Sequence, residues 1–179
     1  PGLLALFACT VLAAEPLRVV SLAPSMSEIM LELQADDLLV GVLDGGERPA
    51  ALRHLPSVGR QGQLDMERLL SLRPDLLLLW PGSVPPAQRD QLKRLGMATF
   101  SAEPHDISQL IEQIEAIAGR IGRAEQGHSY ARALRERLQQ LRQQYRRDEP
   151  LQVFYQVWDR PLYTLGGRQV VTDALAVCG

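Results

Sequence analysis

The stretch Glu67 to Trp80, Glu-Arg-Leu-Leu-Ser-Leu-Arg-Pro-Asp-Leu-Leu-Leu-Leu-Trp, constrains the fold of this chain more than any other. One amphipathic turn runs through Arg73-Pro74-Asp75 into an apolar strand that ends on an aromatic ring. The pattern predicts a helix that delivers a ring to the carboxyl end of a strand. In open α/β sheets, small ligands bind outside that edge.

The neighbouring segments repeat the alternation. Arg18 to Leu22 reads as a short strand, and Ser25-Met-Ser-Glu28 follows with helix-capping chemistry before a helical Ile29 to Leu33. Leu38 to Val42 is a second strand, and Leu43 to Ser57, with Gly45, Gly46, Pro49 and Pro56, is a loop. A helix over Asp65 to Leu72 and a strand over Asp75 to Trp80 make the next unit. Pro81 to Pro86 turns the chain, Ala87 to Leu95 is helical, and Met97 to Ser101 is a fourth strand. Strands alternating with helices predict an α/β fold with a parallel sheet and right-handed crossovers.

Two longer helices follow. The first carries Ile107, Leu110, Ile111, Ile114, Ile117 and Ile121 at helical spacing, with a break around Gly119 to Gly122. The second runs from Ala124 to Arg147, with Tyr130, Leu134, Leu138, Leu141 and Tyr145 on one stripe and Arg and Gln on the other faces. At about 1.5 Å per residue it reaches roughly 30 Å, enough to cross between two lobes. Pro150 ends it, and Leu151 to Trp158 reads as the first strand of a second lobe.

With 179 residues, 46% hydrophobic, 22% charged and a net charge of -2, the chain has room for one compact domain and the start of another. The near-neutral balance, with no basic cluster beyond Arg146-Arg147, leaves no footprint for nucleic acid. Residues 1–14 carry no charge and end on small residues before Glu15-Pro16, as the core and end of a secretory signal do. The run is too short to span a bilayer, and cleavage after Ala13 or Ala14 is expected. Cys9 reads as part of the signal core rather than a lipid anchor, because the apolar run continues past it. With no initiator Met or basic leader, the chain is expected to be a fragment. Cys178 is then the one cysteine of the mature part, odd in an exported protein, and its disulfide partner is expected outside this sequence.

Enzyme chemistry finds little footing. His54, His105 and His128 have no Cys, Asp or Glu at metal-ligand spacing beside them. Ser21, Ser25 and Ser27 lie near a strand end but lack a Gly-x-Ser-x-Gly frame, and Gly166-Gly167 lacks the Lys-Ser/Thr of a phosphate loop. Asp44, Glu47, Asp65 and Glu67 show no sign of an acid and base pair. No catalytic residue and no metal site is assigned. Binding explains the residues better, since large planar or macrocyclic ligands are held by aromatic walls with a few aimed polar groups. Trp80, Trp158 and Tyr163 sit at or just after predicted strand ends. Arg48 and Arg60 offer guanidinium groups for amides, phosphate or carboxylates at a rim.

Four motifs in order carry a family resemblance: Arg18-Val-Val-Ser-Leu-Ala-Pro-Ser-Met-Ser-Glu28, Val58-Gly59, the Glu67 to Trp80 unit, and Pro161-Leu-Tyr-Thr-Leu-Gly-Gly167. Together they resemble the substrate-binding proteins of ABC importers of the helical-backbone class, which carry cobalamin, siderophores or haem. The resemblance implies two Rossmann-like α/β lobes joined by a rigid spine helix. Its expected organisation is a signal remnant over residues 1–14, an amino-terminal lobe over 15–123, the spine over 124–149, and the start of a carboxyl-terminal lobe over 150–179 whose remainder is missing. It implies a periplasmic, non-catalytic protein that takes cobalamin as transported ligand rather than cofactor, with an ABC permease of the inner membrane as partner. In cobalamin-binding relatives, the positions matching Trp80 and Tyr163 are aromatics in the cleft between lobes, and a carboxylate matching Glu67 docks on the permease. A Val-Cys-Gly like Val177-Cys178-Gly179 ends a helix early in their second lobe. This chain lacks the aromatic that such relatives often carry in the loop after the second strand, reading Asp44-Gly-Gly-Glu-Arg-Pro49, and another before Glu67, reading Gly59-Arg-Gln-Gly-Gln63. A haem or iron-siderophore binder of the same fold is the alternative, with Arg48 and Arg60 as contacts. A tetrapyrrole-processing enzyme of chelatase-like fold is the alternative of another class.

Overall fold

The computed structural model describes residues 15–179, so the signal remnant expected over 1–14, with Cys9, lies outside the described residues. Strands β1 (Val19–Ser21), β2 (Leu39–Asp44), β3 (Ser57–Arg60), β4 (Gln63–Leu64), β5 (Leu76–Leu79) and β6 (Thr99–Ser101) form one sheet in the spatial order β4-β3-β2-β1-β5-β6. Every neighbouring pair is parallel except β3 and β4, which form a tight antiparallel hairpin.

Side chains alternate across a strand, so each run of consecutive apolar residues feeds both faces of this sheet. Val19, Leu76 and Leu78 point to one side, into a cluster with Met26 and Met30 of helix α1 (Pro24–Glu32). Val20, Leu77 and Leu79 point to the other, into a cluster with Leu69 of α2 (Met66–Ser71) and Leu92 of α3 (Pro86–Arg94). The four leucines are therefore a strand covered on both sides, which is why they show no polar alternation.

Helix α4 (Ile107–Arg120) adds Ile114, Ile117 and Ala118 to the first cluster, and α5 (Ala124–Gln144) lies against α4. A Cβ on Gly127 of α5 would overlap Cβ of Ala118, so the bare backbone sets how closely the two helices approach. Polar groups fasten α5 to α1 and to α4. The Tyr130 hydroxyl donates to Glu32 at 2.9 Å, and Glu115 accepts from Arg135 and pairs with His128 at 3.0 Å. Arg135 first, then His128, hold the Glu115 carboxyl below the usual carboxylate range.

Beyond α5, β7 (Gln156–Asp159) and β8 (Leu162–Thr164) make a separate antiparallel hairpin in which Trp158 faces Tyr163. Helix α6 (Val170–Val177) follows and returns to α4, where the Ile107 N–H donates to Asp173 at 3.0 Å.

Several boundaries differ from the sequence reading for physical reasons. The first helix starts at Pro24, a residue suited to the first helical position, and Ser25 does not cap it. The buried serine hydroxyls serve the strand-to-helix turn instead: Ser27 donates to Ser21 at 2.8 Å, and Ser21 to the Ala23 carbonyl at 2.9 Å. β3 and β4 fall in the Gly-rich stretch before Asp65, where strands of four and two residues are too short to show a period. The long helix stops at Gln144 rather than Arg147, still about 31 Å at 1.5 Å per residue. Of the strand expected over Leu151 to Trp158, only the end from Gln156 pairs, because β8 is its one partner among the described residues.

Candidate functional site

β1, β2 and β5 are adjacent and parallel, so their carboxyl ends open at one edge. The chain leaves that edge through Ala23-Pro24, Asp44-Gly45 and Trp80-Pro81. Between these exits lies an open depression of about 180 Å³, walled by Trp80, Ser83, Leu22, Pro24 and Gly45, with Gln61 reaching in from the β3–β4 turn.

Trp80 sits where the sequence placed it, one residue past β5. The turn after it is pinned, since both the backbone N–H and the hydroxyl of Ser83 donate to the Trp80 carbonyl, at 2.9 and 2.7 Å. Trp80 is 37% exposed, too open for a core residue, and it forms part of the wall. A ring fixed at its root and partly exposed is a surface on which a large flat or macrocyclic ligand can stack.

Beside it a smaller hollow shares Pro24, Leu43, Asp44 and Gly45 and extends to Arg48. The half-buried Arg48 turns inward onto its own loop. One terminal nitrogen donates to the Leu55 carbonyl at 2.6 Å and the other pairs with Asp44. The Ser57 hydroxyl donates to the second Asp44 oxygen at 2.5 Å. The Ser57 hydrogen bond and then Arg48 hold the Asp44 carboxyl below its ordinary range despite a small opposing effect of burial. The three side chains tie the end of β2 to the start of β3, so the Gly-rich rim between them is braced rather than loose.

The remaining sequence-derived residues lie elsewhere. Arg60 is exposed at the end of β3, its Nε donating to Gln63 at 3.1 Å, while its neighbour Gln61 lines the depression. Glu67 projects from the first turn of α2 and makes no ion pair among the described residues. Its helix is capped by Asp65, which accepts from the Arg68 N–H at 3.0 Å, so Glu67 is not needed as a cap. Trp158 and Tyr163 are 61% and 58% exposed on the β7–β8 hairpin, and the depression walled by Trp80 contains neither. Cys178 is exposed at the end of α6, with no disulfide among the described residues.

Pro24, Gly45, Gln61 and Ser83 went unassigned in the sequence. Small and turn-forming residues carry no chemical signature, and only their shared position at the strand ends marks them. No cluster of three or more His, Cys, Asp or Glu suited to a metal occurs among the described residues, and no helix there is long and apolar enough to cross a membrane.

The family model described as periplasmic binding protein matches residues 19–179. The vitamin B12-binding protein of Vibrio cholerae serotype O1 is 31% identical over 177 residues, covering 97% of this chain and 64% of that protein. The crystal structure of the periplasmic vitamin B12 binding protein of Vibrio cholerae superposes with a TM-score of 0.80 at 31% identity, over 90% of this chain and 64% of the other. That of the periplasmic heme binding protein of the same organism superposes with a TM-score of 0.73 at 26% identity, over 91% and 64%. The chain thus spans about 64% of the length of these relatives, all of them binding proteins. Its mixed α/β architecture is that of the helical-backbone binding proteins, and the chain belongs to the periplasmic binding protein family.

Proposed function

We propose that this protein is the periplasmic binding component of an ABC importer that captures cobalamin or a related corrinoid and passes it to a permease in the inner membrane. The observation that carries the reading is Trp80, a half-open indole on a pinned turn at the carboxyl edge of a parallel sheet. The likeness in sequence and in structure to the vitamin B12-binding protein of Vibrio cholerae supports the choice of ligand. In this reading residues 15–123 form the amino-terminal lobe, 124–149 the spine and 150 onward the second lobe. Trp158 and Tyr163, paired across their hairpin, supply the facing wall. Arg60 stands at the rim, and Cys178 forms a disulfide with a cysteine of the second lobe. The ligand is cargo, and the protein performs no reaction on it.

The heme-binding neighbour favours a second reading on the same fold, with haem or a ferric siderophore as ligand. Arg48 weighs against it, because its guanidinium is engaged by Asp44 and the Leu55 carbonyl rather than turned outward.

Glu67, exposed and unpaired among the described residues, is the docking carboxylate toward the permease. A charge at an interface rim governs orientation and rate of encounter more than tightness. In cells lacking the chromosomal gene, uptake of labelled cyanocobalamin is expected to fall and to be restored by the wild type. Glu67→Arg should slow uptake several-fold while leaving ligand affinity within about twofold. Normal uptake with Glu67→Arg eliminates the docking role, and normal uptake without the gene eliminates the transport role.

A further inference from the structure

We infer that Gly82 is a positioning residue that sets the orientation of the Trp80 ring, and that ligand affinity depends on its lack of a side chain. The inference rests on the reading of Trp80 as a ligand wall. A Cβ built on Gly82 would overlap Cη2 and Cζ3 of the indole and come within 2.9 Å of its Cε3, so the ring lies directly over the Gly82 backbone. Gly82 is not among the glycines held at positive φ, and steric room for the indole, not backbone freedom, is what a side chain there removes. The colliding atoms belong to the far end of a rotatable side chain. The turn beneath is held independently by two hydrogen bonds from Ser83 to the Trp80 carbonyl. Added bulk at Gly82 therefore displaces the ring and spares the turn. Without a side chain at Gly82 the indole lies over the turn and lines the depression. With one, the ring is driven off this seat.

The test is a double-mutant cycle of Gly82→Ala and Trp80→Ala in the mature protein at its native length, titrated with cyanocobalamin. Coupling is expected because the two residues touch. Gly82→Ala alone should weaken binding about tenfold and alter the near-ultraviolet circular dichroism assigned to Trp80 by difference from Trp80→Ala. In the Trp80→Ala background the same change should leave affinity unchanged. Stability of Gly82→Ala should match or slightly exceed the wild type, since a side chain restricts the unfolded chain at a position of ordinary φ. Equal weakening in both backgrounds, or an unaltered affinity where Trp80→Ala does weaken binding, overturns the positioning role alone. If Trp80→Ala itself leaves binding unchanged, the ligand-wall reading falls, and this inference with it.

Discussion

Trp80→Ala is expected to weaken cobalamin binding by about 1–3 kcal/mol, roughly 5- to 150-fold, with little change in melting temperature. The separation of the two effects follows from where the ring sits. Trp80 is partly exposed and lies outside both core clusters, so its removal leaves no cavity in the packed interior. A ligand stacked on it loses a rigid aromatic wall that costs little conformational entropy to present. Isothermal titration on the wild type and the variant, with thermal melts of both without ligand, measures the two quantities separately. Loss of stability in proportion to loss of affinity would return Trp80 to a packing role. Tyr163→Ala carries the same expectation for affinity. A change in only one of the two variants would place the cleft on that lobe alone.

Leu78→Ala is expected to destabilise the fold by about 2–5 kcal/mol, the range for emptying a fully buried leucine site. Leu78 is inaccessible to solvent in β5, hydrogen-bonded between β1 and β6, and packs with Met26, Met30 and Ile117. Neighbours on a sheet bonded on both sides have little freedom to collapse into the space, which favours the upper part of that range. The same strand positions Trp80, so the variant should also lose affinity at temperatures near its lowered midpoint and recover it on cooling. Denaturant unfolding followed by circular dichroism gives the stability change directly. A loss below about 1 kcal/mol contradicts the placement of Leu78 in a rigid core.

The parts of the molecule that the sequence made legible are those in which local pattern and burial agree. Leu76 to Leu79 read as an apolar strand and the isoleucines of α4 as one helical stripe, and the structure buries the strand on both faces and packs Ile114 and Ile117 against the core. The ring at the end of β5 was legible for the same reason, since the strand that carries it is unambiguous. Short, Gly-rich elements were not. β3 and β4 rest on backbone pairing with residues distant in the chain, and Gly59 takes a positive φ in a bulged stretch that no periodicity reveals. The rim of the site lay in that stretch. Arg48 reads in the sequence as a guanidinium offered at the rim, and in the structure Asp44 and the Leu55 carbonyl engage it, while Ser57 donates to the other oxygen of the same Asp44. Those partners meet only once β2 and β3 are paired, so a tertiary contact decided what composition could not.

The most direct test of the proposed function is titration of the mature protein with cyanocobalamin, haemin and a ferric hydroxamate siderophore in parallel, following tryptophan quenching and heat. Saturable submicromolar binding of cyanocobalamin, with neither of the others binding comparably, is the predicted result. Saturable binding of haemin or the siderophore without cyanocobalamin would contradict it.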